Sequence, residues 1–271
     1  MKKCKVVGII SIKGGVGKTT SVVNLGASLA NDFGKRVLLI DGNLSGSNLG
    51  LHLGIVNPDV TLHHVLSENA LVDEAIYEHS YGFSVLPSSL VLKETNPFKL
   101  KQIISKLRNN YDVILLDSSP TVSNELQAVM LASDQLFVVT SADYPTLLMT
   151  VRAVQMAKKK HILITGLILN KQRGKNYEIS VKDIEDYTGV PVVGIIKDSL
   201  KVQEALSNMK PVVLYNKYNS ASLEYRRLAA ALISEKFKEP TVFIKILNYI
   251  KEDFDNFRNH KFTEAGFKYY E

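Results

Sequence analysis

Short apolar runs recur along most of the chain. Most of them are continuous rather than alternating, and they are rich in Val, Ile and Leu. Continuous runs of this length are typical of strands that are buried on both faces, as in a parallel sheet. The predicted strands cover residues 6–12, 36–41, 82–86, 113–117, 135–140, 162–169 and 192–196.

Segments with helical periodicity separate these runs. Regular alternation of strand and helix predicts an α/β fold with a doubly wound, mostly parallel sheet, helices on both faces and right-handed crossovers. In such sheets, ligands bind at the carboxyl ends of the strands. The predicted helices cover residues 19–32, 97–109, 122–132, 145–159 and 179–187.

Two further helical patterns follow the last predicted strand. The first, at residues 221–237, is expected to pack on the sheet and to complete a single domain of residues 1–237. The second covers about residues 241–259, within a C-terminal extension of residues 238–271. Its polar face carries both charges, which favours packing on the chain's own body over a partner contact or a membrane surface. The apolar stripe of this amphipathic helix has a three-four spacing and consists of Phe243, Leu247, Ile250, Phe254 and Phe257.

A glycine-rich loop follows the first predicted strand and leads into the first predicted helix. Its glycines bring backbone N–H groups close to phosphate oxygens, and the helix N-terminus adds a partial positive charge. The spacing predicts a P-loop that binds ATP with Mg²⁺, in which Lys18 contacts the β- and γ-phosphates and the Thr19 hydroxyl binds the metal. The predicted nucleotide-binding residues are Lys13, Gly14, Gly15, Val16, Gly17, Lys18, Thr19 and Thr20.

The composition of the chain excludes several classes of protein and site. The chain has 271 residues, of which 45% are hydrophobic and 22% charged, as expected for one large soluble domain. Cys4 is the only cysteine, which excludes a disulfide framework or a cysteine-built iron–sulfur site within one chain and suits the cytoplasm. The net charge of +6 permits DNA or an anionic membrane as a partner without selecting either. No apolar run has the length of a membrane span, and the first run is predicted as a strand rather than a signal peptide.

Lys13, directly before the first glycine of GGVGKT, distinguishes this loop from most P-loops. With this lysine the sequence resembles the MinD/ParA family of deviant Walker A ATPases, over roughly residues 4–236. The resemblance implies that Lys13 crosses to the nucleotide of a partner subunit and completes an ATP-sandwich homodimer. It also implies a SIMIBI-like P-loop fold and a molecular switch that hydrolyses ATP.

The resemblance extends to the two switch segments of the family. Residues 37–44 resemble the first switch, which implies that Asp41 belongs to the magnesium water shell. Residues 115–120 resemble the second, which implies that Asp117 holds a magnesium-bound water.

Two more residues are implied to contact the base. Asn170 matches the position of an adenine-reading asparagine, whose amide can both donate and accept a hydrogen bond. Residues 194–198 resemble the family's base-pocket segment, which usually reads Ile-Pro-x-Asp, and supply Asp198. Lys197 stands where proline is usual, which is a departure from that pattern.

The main departure is Asn43. The family commonly has Asp-x-Asp in the first switch, and its second aspartate orients or activates the attacking water, whereas this chain has Asp41-Gly42-Asn43. An amide orients a water but does not take its proton. We therefore expect Asn43 to occupy a catalytic position at which hydrolysis is slow or depends on an activating protein. The alternative is that Asp41 or a backbone carbonyl suffices.

Three functional classes follow from these observations. The favoured hypothesis is a MinD-like ATPase that places a division site or an organelle, in the cytoplasm or at the periphery of a membrane. A small-molecule synthase of the same superfamily is less favoured, because such enzymes generally lack the Lys13-type lysine. The alternative is ParA-like partition of DNA, with non-specific DNA binding by candidates at residues 158–160, Lys171, Arg173, Lys175, Arg226 and Arg227.

Overall fold

The computed structural model describes residues 4–91 and 94–240, and an eight-stranded sheet forms its centre. The strands in chain order are β1 (Lys5–Ile10), β2 (Val37–Gly42), β3 (Tyr77–His79), β4 (Phe83–Leu86), β5 (Val113–Ser118), β6 (Gln135–Thr140), β7 (Leu163–Gln172) and β8 (Val192–Lys197). Their order across the sheet is β3-β4-β2-β5-β1-β6-β7-β8. Only β3 runs antiparallel to its neighbour. The predicted doubly wound, mostly parallel sheet is confirmed.

Helices connect the strands. They are α1 (Lys18–Asn31), α2 (Leu49–His52), α3 (Leu62–Leu66), α4 (Leu100–Leu107), α5 (Asn124–Ala132), α6 (Tyr144–Lys159), α7 (Val181–Thr188), α8 (Leu200–Ser207), α9 (Val212–Tyr215) and α10 (Ser220–Leu232). Two 3₁₀ turns, Val72–Ala75 and Pro97–Lys99, complete the described elements.

Alternate residues of the central strands enter two separate cores, because successive side chains of a strand point to opposite faces. Val6 and Ile10 of β1 belong to a cluster with residues of α4, α5 and α6. Val7 and Ile9 belong to a second cluster with residues of α1 and α10. All four side chains are fully buried. Burial on both faces explains why the strands are continuous apolar runs in the sequence.

Local geometry shifts several predicted boundaries. The helix predicted at residues 122–132 begins at Asn124, because the Ser123 side chain accepts a hydrogen bond from the Leu126 amide and caps it. The helix predicted at 97–109 divides into a 3₁₀ turn and α4, and the helix predicted at 221–237 ends at Leu232. The strand predicted at 6–12 ends at Ile10. β3, α2, α3, α8 and α9 were not predicted.

The compact unit built on the sheet runs to Glu235. The amphipathic helix predicted at residues 241–259 lies outside the described residues. The division into a domain of residues 1–237 and an extension of residues 238–271 therefore stays a prediction. Within the part of the chain that the structure describes, no helix is long and apolar enough to span a membrane.

The strand order determines where a ligand can bind. β1 lies between β5 and β6, and β2 lies on the far side of β5. From β1 the chain continues to β2 on one side, and from β5 it crosses over β1 to β6 on the other. Ligands of doubly wound sheets bind where the connections diverge in this way, at the carboxyl ends of the strands.

Candidate nucleotide-binding site

A loop of residues 11–17 connects β1 to α1 at that edge of the sheet. Gly15 and Gly17 have positive φ angles of 75° and 95°, and Gly17 is the N-cap of α1. Among the described residues, a Cβ built on Gly14 or Gly15 would meet no atom within 4 Å, so the loop borders open space. The first-turn amides of a helix that begins in such a loop form an anion-binding site.

A cavity of about 560 Å³ lies beside this loop, a volume typical of small-molecule sites. The Val16 side chain is buried in the core beneath the loop, so its predicted contact with the nucleotide would come from the backbone amide and stays a prediction. Most of the other predicted residues line the cavity, namely Gly14, Gly15, Gly17, Lys18, Thr19, Thr20, Asn43, Asn170 and Asp198.

Lys18 is the buried cation of the site, with 7% of its surface exposed. Its Nζ donates to the backbone carbonyl of Lys13 at 3.4 Å. Burial lowers the pKa of Lys18, and the nearby Asp117 charge opposes this shift. An ammonium with little solvent around it interacts strongly with an anion placed in the cavity, which suits the predicted phosphate contact.

The side chains of Thr19 and Asp117 contact each other beside the loop. The Thr19 hydroxyl donates to Asp117 Oδ2 at 2.6 Å. The second carboxylate oxygen, Oδ1, is buried and accepts no hydrogen bond from the described residues. Burial raises the pKa of Asp117 to about 7, with a further increase from the charge of Asp41. Hydroxyl and carboxylate oxygens are the ligands that Mg²⁺ prefers, so Thr19 and Asp117 fit the predicted metal site.

Asp41 is completely buried at the end of β2. Its Oδ2 accepts hydrogen bonds from the Ser47 hydroxyl at 2.8 Å and from the amides of Asn48 and Leu49 at 3.1 Å, and its Oδ1 accepts one from the Asn43 amide. Burial raises the pKa of Asp41 to about 6, although these hydrogen bonds act to lower it. Asp41 therefore holds residues 43–49, a segment that overlaps the end of the predicted first switch, against the sheet.

Asn43 is 5% exposed and lines the cavity. Its side-chain Nδ2 donates to the carbonyl of Gly46. Its Oδ1 is buried and, among the described residues, has no hydrogen-bond partner. An amide oxygen is a hydrogen-bond acceptor but cannot remove a proton from water.

β7 extends three residues beyond the predicted strand and contacts the loop. Asn170 Nδ2 donates to the carbonyl of Val16 at 2.7 Å, and Lys171 Nζ donates to the carbonyl of Gly15 at 2.8 Å. A Cβ on Gly17 would collide with the Asn170 side chain. Asn170 thus supports the loop from below, and its contact with adenine stays a prediction.

Asp198 forms an ion pair at the side of the cavity formed by β7 and β8. Its Oδ2 accepts a hydrogen bond from Arg173 Nε at 2.8 Å, and both residues line the cavity. The side chains of Arg173 and Asp198 are 58% and 28% exposed. The contact of Asp198 with the base also stays a prediction.

The Lys13 side chain contacts the beginning of α6. Its Nζ donates to Asp143 Oδ1 at 3.1 Å and to Thr146 Oγ1 at 2.7 Å. Burial alone would raise the pKa of Asp143, but hydrogen bonds from Ser141 and Thr146, together with Lys13, lower it to about 2. Lys13 is therefore held by its own chain in this structure.

The sequence did not lead us to predict that α8 forms one wall of the cavity. Val202, Gln203 and Leu206 line the cavity opposite the loop. Ser199, whose side chain accepts from the Lys201 amide, caps this helix. A serine followed by apolar residues at helical spacing is a recognised start signal, and it could have identified α8.

Comparisons with known proteins agree with this geometry. A family model described as an AAA domain matches residues 4–164. The crystal structure of the cell division ATPase MinD from Pyrococcus furiosus is 31% identical, with 86% of this chain and 99% of that chain covered and a TM-score of 0.80. The septum site-determining protein MinD from Pyrococcus horikoshii, complexed with Mg-ADP, is 29% identical, with coverages of 84% and 96% and a TM-score of 0.79.

A partition protein is similar as well. The chromosome partitioning protein ParA of Caulobacter vibrioides is 31% identical over 254 residues, covering 86% of this chain and 95% of the relative. The family model spans the loop, Asp41 and Asp117. The chain belongs to the MinD/ParA family of P-loop ATPases.

Proposed function

We propose that the chain is a switch that binds ATP with Mg²⁺, dimerises through the bound nucleotide and hydrolyses it slowly. The observation that carries this proposal is the hydrogen bond from Thr19 to Asp117 at 2.6 Å, beside a buried Asp117 oxygen that has no hydrogen-bond partner among the described residues. It brings a carboxylate of β5 into contact with a hydroxyl of the phosphate loop that lines the cavity. When bound there, Mg²⁺ neutralises charge on the phosphates, and Thr19 and Asp117 are the residues that would hold it.

The first switch supports the nucleotide-dependent step. Asp41 accepts four hydrogen bonds from residues 43–49. A shift in the position of this carboxylate would therefore move the whole segment. Loops of this kind are ordered by the γ-phosphate and its metal and are released after hydrolysis. Asn43 supplies an acceptor but no base, which supports slow or partner-stimulated turnover.

We infer a MinD-like positioning role as the output of this switch. Among the basic candidates for DNA binding, Arg173 is paired with Asp198, and Arg226 is buried beside Asp32. Their positive charge is partly neutralised within the chain, which argues against a strong DNA surface on this protomer. The ParA-like role remains the competing outcome.

The proposed dimer is tested by the mass in solution with ADP and with a slowly hydrolysed ATP analogue, each with Mg²⁺. We expect the analogue, but not ADP, to convert the 30.1 kDa chain to twice that mass. Lys13→Ala should bind nucleotide and remain a monomer. Lys99→Ala is the matched control, because Lys99 also forms an exposed ion pair, with Glu68 at 2.8 Å, and should dimerise normally.

Two outcomes oppose the proposal. If the mass is the same with ADP and with the ATP analogue, the sandwich dimer is ruled out. If the Lys13→Ala variant dimerises as wild type does, Lys13 has no role in dimerisation. Sedimentation of the ATP form with anionic liposomes supports the MinD-like role. A salt-dependent shift of DNA by the ATP form, absent with ADP, would select the ParA-like role instead.

A further inference from the structure

The ion pair between Arg173 and Asp198 forms part of the lining of the cavity. It lies where β7 and β8 border the cavity, beyond the loop, the two switch aspartates and the metal candidates. We propose that this pair sets the preference of the site for adenine over guanine. The inference rests on the proposed binding of a nucleotide and adds a residue that selects its base.

Backbone contacts hold both partners of the pair in place. The Glu178 carboxylate accepts hydrogen bonds from the amides of Arg173 at 2.9 Å and Lys175 at 3.0 Å. Gly174, with φ of 68°, allows the tight turn between them. The Asp198 amide donates to the carbonyl of Gln172 at 2.9 Å, which ties the end of β8 to the end of β7. The guanidinium and the carboxylate are therefore presented on anchored backbone.

The base of a bound nucleotide must lie close to this pair. Asn170 and Lys171 donate to carbonyls of the phosphate loop and fix the end of β7 against it. A nucleotide whose phosphates occupy the loop has its base farther along the same cavity. Val202 and Leu206 offer apolar contacts for a flat ring, and Arg173 and Asp198 are among the polar residues of the same lining.

The two purines present different edges to such a pair. Guanine carries neighbouring N1–H and N2–H donors, and a free carboxylate can accept both in a bidentate arrangement. Adenine offers the N6 amino donor next to the N1 acceptor. Asp198 Oδ2 already accepts from Arg173, so a bidentate contact with guanine would have to compete with the ion pair. The remaining guanidinium N–H donors repel the guanine donors and can satisfy an adenine acceptor.

Removal of the arginine should therefore release the carboxylate for guanine. The experiment measures dissociation constants of ADP and GDP, with Mg²⁺, for the full chain by displacement of a ribose-labelled fluorescent nucleotide. Wild type should prefer ADP. In Arg173→Ala, the ratio of ADP to GDP affinity should fall by about tenfold, the discrimination that one bidentate base contact provides.

Three further variants identify the carboxylate as the responsible group. In Arg173→Ala/Asp198→Asn, the gain for GDP should disappear, because an amide cannot accept both guanine donors. Asp198→Asn alone should show no gain for GDP. Arg36→Ala is the matched control, since it removes an exposed ion pair with Asp112 at 3.1 Å outside the cavity lining, and its ratio should equal that of wild type. Thermal unfolding checks that each variant is folded.

The outcomes separate this inference from the proposed function. Wild type that binds neither nucleotide contradicts nucleotide binding itself. ADP binding with an unchanged ratio in Arg173→Ala overturns only the role of the ion pair. A gain for GDP that persists in the double variant, or that also occurs in Arg36→Ala, overturns it as well.

Discussion

Asp41 and Asp117 are register partners on the neighbouring strands β2 and β5, and both carboxylates are buried at the ends of these strands. They differ in what they hold. Asp41 accepts four hydrogen bonds from its own switch segment, whereas Asp117 accepts one from Thr19 and has a second oxygen without a partner among the described residues. We therefore expect Asp41 to anchor the switch and Asp117 to hold a metal-bound water, and the place of Asp41 in the magnesium water shell stays a prediction.

Asp117→Asn tests this assignment. The amide keeps the shape of the side chain but removes the negative charge that favours a divalent cation. We expect the increase in nucleotide affinity caused by Mg²⁺ to fall by about 10- to 100-fold, a range typical of groups that orient a metal or its ligands. The measurement is the ADP dissociation constant with Mg²⁺ and with excess chelator.

The measurement with excess chelator distinguishes a loss of metal binding from a loss of folded protein. Without Mg²⁺, wild type and Asp117→Asn should bind ADP with similar affinity, and the exposed control variant Asp59→Asn should respond to Mg²⁺ as wild type does. An Asp117→Asn protein that retains the full response to Mg²⁺ would show that other groups hold the metal.

Asn43→Asp tests whether the amide limits hydrolysis. Asn43 lines the cavity, and its buried side-chain oxygen has no hydrogen-bond partner among the described residues. A carboxylate at the same place can also take the proton, an effect that contributes about 10²–10⁴-fold where a general base is well placed. We expect turnover of Asn43→Asp to exceed that of wild type by at least about tenfold, measured as phosphate release under saturating ATP.

Asn43→Ala provides the comparison for that result. It removes both the acceptor and the hydrogen bond to Gly46, so its turnover should fall below that of wild type. Equal turnover in all three proteins would mean that Asp41 or a backbone carbonyl positions the water, and that Asn43 has no part in the reaction.

Gly17→Ala and Gly14→Ala form a matched pair in the loop. Gly17 has φ of 95°, and its Cβ would collide with Asn170, whereas a Cβ on Gly14 would contact nothing within 4 Å among the described residues. We expect Gly17→Ala to lower the free energy of unfolding by about 2 kcal/mol, from backbone strain and the displaced Asn170. Gly14→Ala should change it by less than about 0.5 kcal/mol. Urea unfolding without nucleotide measures both, and equal effects would contradict the geometry.

The phosphate loop was predictable because its chemistry is local. Glycine spacing, a preceding apolar strand and a following helical pattern all lie within residues 6–32, so the sequence alone located Lys18 and Thr19. The sheet was predictable for a related reason, since burial on both faces leaves uninterrupted apolar runs. Even the missed helix α8 has a local start signal at Ser199.

The contacts between distant segments were not predictable in the same way. Lys13 meets Asp143 across 130 positions, and Arg173 meets Asp198 only because β7 and β8 are neighbours in the sheet. The sequence separation of neither pair identifies the two partners, because any of the many charged residues could have been the partner. Asp198 was predicted from resemblance, while its arginine partner was considered only as a DNA contact.

The contact between Lys13 and Asp143 gives a prediction about pH. The pKa of Asp143 in the folded chain is about 2, below its ordinary value of 3.8, so its charge stabilises the fold above about pH 4 and this contribution is lost as pH falls toward 2. Asn caps a helix as well as Asp does, so Asp143→Asn removes mainly the charge. Because Asp143 is nearly half exposed, we expect the variant to be less stable by under about 1 kcal/mol at pH 6. Urea unfolding should show this difference shrinking from pH 4 to pH 2.5, and a difference independent of pH would show that the charge of Asp143 does not stabilise the fold.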